Sequence, residues 1–188
     1  IPSIIIIEAG AVILLPNKEA EDMEEHQGGC LCGQLRYITK GAPDRAAVCH
    51  CRYCQLRSGS AFGNLVYFAD DQIEIVAGEL KDFHFTSESG YAWQTRFCGT
   101  CGTTVFCHLE RRAGLTAICA GTFDPPSFWF DLNREVFTRT KAPYLGDITA
   151  SEHADTMAGY SANTPQPDYL KGKKEEQSQA YLFTASIL

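Results

Sequence analysis

Seven of the nine cysteines in this chain fall into three tight groups: Cys30-x-Cys32, Cys49-x-Cys51-x-x-Cys54 and Cys98-x-x-Cys101. Thiolates at such spacing suit a metal ion, because a tightly turned backbone can aim neighbouring sulfurs at one point. A disulfide framework fits poorly. The cysteine count is odd, no secretory leader is visible, and cysteines one residue apart pair badly. Glycines supply the turns: Gly28-Gly29 precede Cys30, Gly33 follows Cys32, and Cys98-Gly99-Thr100-Cys101-Gly102 reads as a zinc-knuckle turn. Two such two-ligand turns, distant in sequence, combine into a closed tetrahedral set. A structural zinc is therefore expected on Cys30, Cys32, Cys98 and Cys101, supplying folding free energy to a small β domain.

The group Cys49, Cys51 and Cys54 differs, because no fourth cysteine stands at ligand spacing. Three protein ligands and an open position characterise a catalytic zinc, which can polarise a carbonyl, bind a thiolate or acidify water. Other closures stay open at this point. His50 lies between two ligands and is expected to point away, while Cys107, His108 or Cys119 could close the site from elsewhere. Cys107 and Cys119 sit in apolar stretches and read by default as buried cysteines. His26, His84 and His153 read as surface or satisfied core residues.

These groups need a β-rich scaffold. From Gly28 onward, short alternating segments separated by turn residues predict strands around 35–38, 46–48, 64–68, 73–76, 83–86, 93–97, 103–106 and 115–119, with a turn at Asp70-Asp71. Helical signals are few: one turn at 52–57, and a short capped helix at 151–157. The 188 residues suit one compact domain, expected over 28–147 as the zinc-binding catalytic domain. An N-terminal extension covers 1–27 and a partly mobile C-terminal extension covers 148–188, whose stretch 161–179 is rich in Pro, Gln, Lys and Glu.

The formal net charge of −7 sits at the two ends, leaving the middle neutral. Nucleic acid needs a basic face to displace counterions, so no nucleic-acid partner is expected, and anionic lipid is equally unsuited. The segment IPSIIIIEAGAVILLP is too short to span a bilayer as a helix and carries Glu8 and Gly10. It lacks the basic lead and cleavage site of a secretory signal, and its Ile and Val content favours strands. A small-molecule substrate in a reducing, cytoplasmic compartment follows as the expectation.

Three ordered motifs carry a family resemblance. They are Gly28-Gly29-Cys30-Leu31-Cys32-Gly33-Gln34-Leu35-Arg36-Tyr37, then Cys49-His50-Cys51-Arg52-Tyr53-Cys54 leading into Ser58-Gly59-Ser60-Ala61-Phe62, then Arg96-Phe97-Cys98-Gly99-Thr100-Cys101-Gly102-Thr103. With Gly121-Thr122-Phe123-Asp124-Pro125 they resemble the glutathione-dependent formaldehyde-activating enzyme family, which includes centromere protein V. The resemblance covers roughly residues 28–140. It implies a mainly β, β-tent fold: zinc-stapled antiparallel sheets with few short helices, similar to the zinc proteins that chaperone nucleotide-free Rab GTPases. It implies two zinc ions, the structural one and a catalytic one on Cys49, Cys51 and Cys54. It also implies a carbon–sulfur lyase-type reaction that joins glutathione and formaldehyde as S-hydroxymethylglutathione. Ser58, Ser60 and Asn64 become candidate substrate contacts, Asp124 a candidate acid or base, and Phe62, Phe123, Phe128, Trp129 and Phe130 candidate pocket walls. The pattern departs at 135–139, where Glu135-Val136-Phe137-Thr138-Arg139 replaces a His-aromatic-Val segment. A larger metabolite as substrate, or a non-catalytic zinc module binding a protein or nucleic acid, are the alternative readings.

Overall fold

The structure is a computed structural model that describes residues 24–170 in full and, before them, the backbone of two short strands. These strands, β1 (Ile4–Ile6) and β2 (Val12–Leu14), pair antiparallel, as the Ile- and Val-rich segment predicts. The remainder of 1–23 and the stretch 171–188, with part of the tail expected to be extended or mobile, lie outside the described residues. As far as Leu170 the tail forms just a 3₁₀ turn, at Asp168–Leu170.

A large sheet carries the site. Its central strands read as continuous apolar runs because both faces are covered. In β6 (Gly63–Ala69), Leu65 and Tyr67 face one side while Val66 and Phe68 face the other, all buried. β11 (Leu115–Cys119) lies beside it, and β10 (Thr104–Leu109), β9 (Ala92–Cys98) and β8 (Leu80–Thr86) continue outward, all antiparallel. On the other flank stand β5 (Arg45–Cys49), β12 (Arg134–Val136) and β13 (Glu152–Ala154), where β12 runs parallel to both neighbours. The small sheet has the order β3 (Glu25–Gly29), β4 (Arg36–Lys40) and β7 (Ile73–Ala77), again antiparallel. The two sheets lean together over Leu35, Tyr37, Val66, Phe68, Phe106 and Ile118. This is the mainly β, tent-like architecture that the resemblance implies.

Tyr37 explains why Gly28 has no side chain. Its hydroxyl bonds Thr122 Oγ1 at 2.9 Å, and a Cβ at Gly28 would come within 2.3 Å of the ring's end. The one α-helix among the described residues, α1 (Arg52–Ser58), ends where Gly59 takes φ 63°. Stretch 151–157 is not the helix its sequence suggests, since it supplies β13. Pairing with β12 gives this segment a ladder for its backbone groups and brings His153 to Glu135.

The large sheet therefore has two different faces. One packs on the small sheet. The other carries α1, the three-cysteine group, and the chain from Val136 onward, whose Met157, Tyr160 and Leu170 pack against that group. No helix among the described residues is long and apolar enough to cross a membrane.

Candidate metal centres and an enclosed cavity

The first cysteine cluster sits where the two sheets meet. Cys30 and Cys32 follow β3, Cys98 ends β9, and Cys101 lies in the turn before β10. Their four sulfurs lie within 4.8 Å of one another. Cys30 Sγ is 3.4 Å from Cys32 Sγ, which is 3.7 Å from Cys98 Sγ. A zinc–sulfur bond of 2.3 Å in a tetrahedron gives edges of about 3.8 Å, so the donor set fits such an ion. The turns are held independently of any metal: Cys30 N bonds Leu35 O at 3.1 Å, and Gly102 N bonds Cys98 O at 2.9 Å.

Cys49, Cys51 and Cys54 form the second cluster, again with sulfurs within 4.8 Å of one another. No fourth His, Cys, Asp or Glu joins them among the described residues. Cys49 ends β5, opposite Gly63 of β6, and Cys54 lies in the first turn of α1, only 1% exposed. Three soft donors fit a thiophilic ion such as zinc and leave one side of the set without a protein ligand.

His50 turns away, as its place between two ligands predicts. Its Nε2 meets Glu135 Oε1 at 2.9 Å, and it is fully buried. Glu135, on β12 and 2% exposed, also meets Lys141 Nζ at 2.8 Å and His153 Nδ1 at 2.7 Å. Burial pushes the Glu135 carboxyl up, but the bonds with Lys141, His153 and His50 outweigh it and bring its pKa down to about 2. The backbone around His50 is pinned as well. Its N–H bonds Val136 O at 3.0 Å, while Gln55 Nε2 and Thr140 Oγ1 both donate to its carbonyl. Glu135 thus fixes the turn that presents Cys49 and Cys51. The sequence marked this position only as a departure from the family's pattern.

Above this cluster lies a small, partly open cavity of about 80 Å³. Besides the three cysteines, its walls are Tyr53, Tyr67, Tyr91, Trp93, Phe137 and Tyr160, among other mostly apolar groups. Phe137 takes φ 58°, a left-handed conformation that strains a bulky residue by about 1–3 kcal/mol. Tyr53 stacks on Phe85 and Phe85 on Trp93, each at 5.6 Å between centroids. The Tyr53 hydroxyl lies buried beside the Glu88 backbone without completing a well-aligned hydrogen bond. A strap at 157–164 closes one side. Tyr160 donates to Glu88 Oε1 at 2.5 Å, Asn163 N and Thr164 N both bond Glu88 O, and Arg111 Nη2 bonds Ala158 O.

Several residues singled out in the sequence lie elsewhere. Asp124 is tied to Arg36 by two hydrogen bonds that hold its carboxyl below the usual range, and it does not line the cavity. Phe123, Trp129 and Phe130 pack into the core between the sheets, Trp129 stacked on His26 at 3.5 Å, and Phe128 is exposed. They wall no part of the cavity, because their loop crosses the opposite face of the large sheet. Ser58 Oγ donates to Cys54 O at 2.8 Å and Phe62 O at 2.9 Å, and receives Ser60 N–H; these bonds shape the α1 exit. Phe62 packs edge-on against His50, and Asn64 pairs with Val48 across β5 and β6. The true walls come from aromatics scattered between 53 and 160, which no local motif gathers. Their one legible signal was strand alternation, which puts Leu65 and Tyr67 on the cavity face.

The family model described as glutathione-dependent formaldehyde-activating enzyme matches residues 25–140, more than half of the chain. No curated protein matches at a significant level. Among solved structures, the crystal structure of a Rhodobacter sphaeroides protein is similar at a TM-score of 0.43 and 17% identity. The similarity spans 55% of this chain and 95% of that one. Because the matched span holds all seven clustered cysteines and the strands that present them, the chain belongs to the glutathione-dependent formaldehyde-activating enzyme family.

Proposed function

We propose that the chain is a zinc-dependent enzyme of the carbon–sulfur lyase type that reversibly joins a thiol to a very small carbonyl compound. The family's named pair, glutathione and formaldehyde, is the first candidate. Cys49, Cys51 and Cys54 would hold the reactive zinc, and Cys30, Cys32, Cys98 and Cys101 a structural one. A zinc held by three thiolates supplies Lewis acidity and stabilises a bound thiolate or a polarised carbonyl. In the forward direction the sulfur bonds to the carbonyl carbon and the thiol proton ends on the former carbonyl oxygen.

The observation that carries this reading is the small cavity above an incomplete ligand set. Pockets for drug-sized molecules span roughly 300–1,000 Å³, so about 80 Å³ admits a few heavy atoms and excludes a tripeptide. A one-carbon electrophile and a sulfur fit, and the body of the thiol carrier stays outside. The same size disfavours a bulky metabolite reacting within it. The chain's own residues would supply a dry wall and hydrogen bonding. The aromatic part of the lining would limit water around the reacting carbon. The Tyr53 hydroxyl, buried at the cavity wall with its hydrogen-bonding capacity unspent, suits donation to a substrate oxygen.

The test is NMR exchange spectroscopy of glutathione with formaldehyde, with and without zinc-loaded protein. Faster exchange between free and hydroxymethylated glutathione, lost in Cys54→Ala, supports the proposal. Absence of acceleration by fully metallated protein refutes this substrate pair and favours another small electrophile or a binding role.

A further inference from the structure

We propose that Arg57 is the charge partner of the three-cysteine centre, tying it to Cys119 at the end of β11. The inference rests on the reading of Cys49, Cys51 and Cys54 as metal ligands. Arg57 follows Cys54 by three positions on α1, so both side chains leave the same helical face. Its Nη1 donates to Cys119 Sγ at 2.9 Å. Its Nη2 fills the space that Gly63 leaves by having no side chain. A Cβ there would come within 2.7 Å of Nη2, 3.0 Å of Cys54 Cβ and 3.3 Å of Cys54 Sγ. Guanidinium, ligand sulfur and glycine thus meet at one point.

What the guanidinium lacks is equally informative. Nε and Nη2 are buried with no hydrogen-bond partner, and among the described residues no carboxylate pairs with Arg57. Arg57 is half-buried, and for the buried end of its guanidinium the nearest source of counter-charge is sulfur. Three thiolates around a divalent ion carry a net charge of −1, and one arginine brings the ensemble to zero. The contrast with the first centre supports this. Four thiolates there leave −2, but Cys32 is exposed, so solvent can screen that charge. In the second centre Cys54 and Cys51 are 1% and 9% exposed and even Cys49 is half-buried, so solvent screens less of its charge.

Two consequences follow. Arg57 is a positioning residue, which sets how tightly the three-thiolate ion is held. Cys119, otherwise an unremarkable strand residue, anchors one arm of the fork, while fully buried Cys107 packs beside it.

The experiment withdraws the more weakly held ion from the zinc-loaded protein by dialysis and replaces it with Co²⁺, whose thiolate charge-transfer absorption reports sulfur ligation, in wild type, R57K, R57Q, C119A and C54A. Competition with a chromophoric chelator then gives the affinity of each ion. Wild type is expected to take two ions and C54A one tight ion. R57Q should hold its weaker ion about 10- to 100-fold less tightly with the tighter ion unchanged. R57K, which keeps the charge, should fall between R57Q and wild type, and C119A should lose a few-fold. Should R57Q fail to fold, R57K and C119A decide the matter. Variants that all bind the second ion as tightly as wild type overturn the role of Arg57. A wild type that takes up a single ion overturns instead the metal reading on which it rests.

Discussion

Glu135 provides the sharpest quantitative test of how this site is held. Its carboxylate is almost fully buried between His50, Lys141 and His153, and its pKa falls from 4.5 to about 2. The sign of the linkage is that of a depressed acid. Its contribution to stability is complete above the unfolded value of 4.5 and is lost as pH falls from there towards 2. About two and a half pKa units at 1.36 kcal/mol each set a ceiling of roughly 3 kcal/mol. His153 is half-exposed and screens part of this, so about 2–3 kcal/mol is expected for Glu135→Gln at pH 7. For a chain of this size that lowers the melting temperature by about 4–12 °C, measured by circular dichroism with zinc in excess for both proteins. Glu135 itself stays ionised from pH 7 to 5, so its own titration adds no pH dependence in that window. Equal melting temperatures for the two proteins at pH 7 would refute the idea that this carboxylate clamps the Cys49–Cys51 turn.

Other outcomes follow from the packing. Gly63→Ala should displace Cys54 or Arg57, since its Cβ would sit 2.7 Å from Nη2; zinc analysis should then show selective loss of one ion with the β circular-dichroism signal retained. Gly28→Ala collides with Tyr37 and the Thr122 carbonyl, so a urea midpoint lowered by about 1–3 kcal/mol of stability is expected. Cys101→Ser should unfold the protein or make it aggregate, whereas Cys54→Ala should keep its fold, because the first centre joins the sheets and the second lies on one face. Chelation of all zinc should abolish near-ultraviolet circular dichroism reversibly, and readdition of one equivalent should restore most of it.

Much of this was legible in the sequence, for identifiable reasons. Metal-ligand spacing is local, so Cys30-x-Cys32, Cys98-x-x-Cys101 and the 49–54 group could be read directly, and the structure brings each set together. Strand alternation placed β4 to β11 but not β3, β12 or β13, which are too short or too polar to alternate visibly. Stretch 151–157 misled because a short polar segment with a capping residue looks helical until a parallel neighbour offers it a ladder. The loop at 123–130 misled because aromatic content marks a buried surface without saying which face of a sheet it covers. Glu135 and Arg57 were invisible as site residues. Each gains meaning only from partners far along the chain, such as His50 for Glu135 and Cys119 for Arg57.

The two cysteine centres also differ in how the chain must be arranged before each can exist. The second needs six consecutive residues, so its three sulfurs are available to a metal as soon as that stretch has been synthesised. The first joins residues 66 apart in sequence, as between Cys32 and Cys98, and closing a loop of that length costs about 4 kcal/mol in chain entropy. It cannot be completed until the strands from β4 to β9 have left the ribosome and begun to pair. The order in which the two sulfur sets come together during synthesis is therefore written into the spacing. The 49–54 set is complete while most of the chain is still unmade, whereas the four-cysteine set needs Cys101 and can close only once more than half of the chain exists, so its closure records that the two sheets have met.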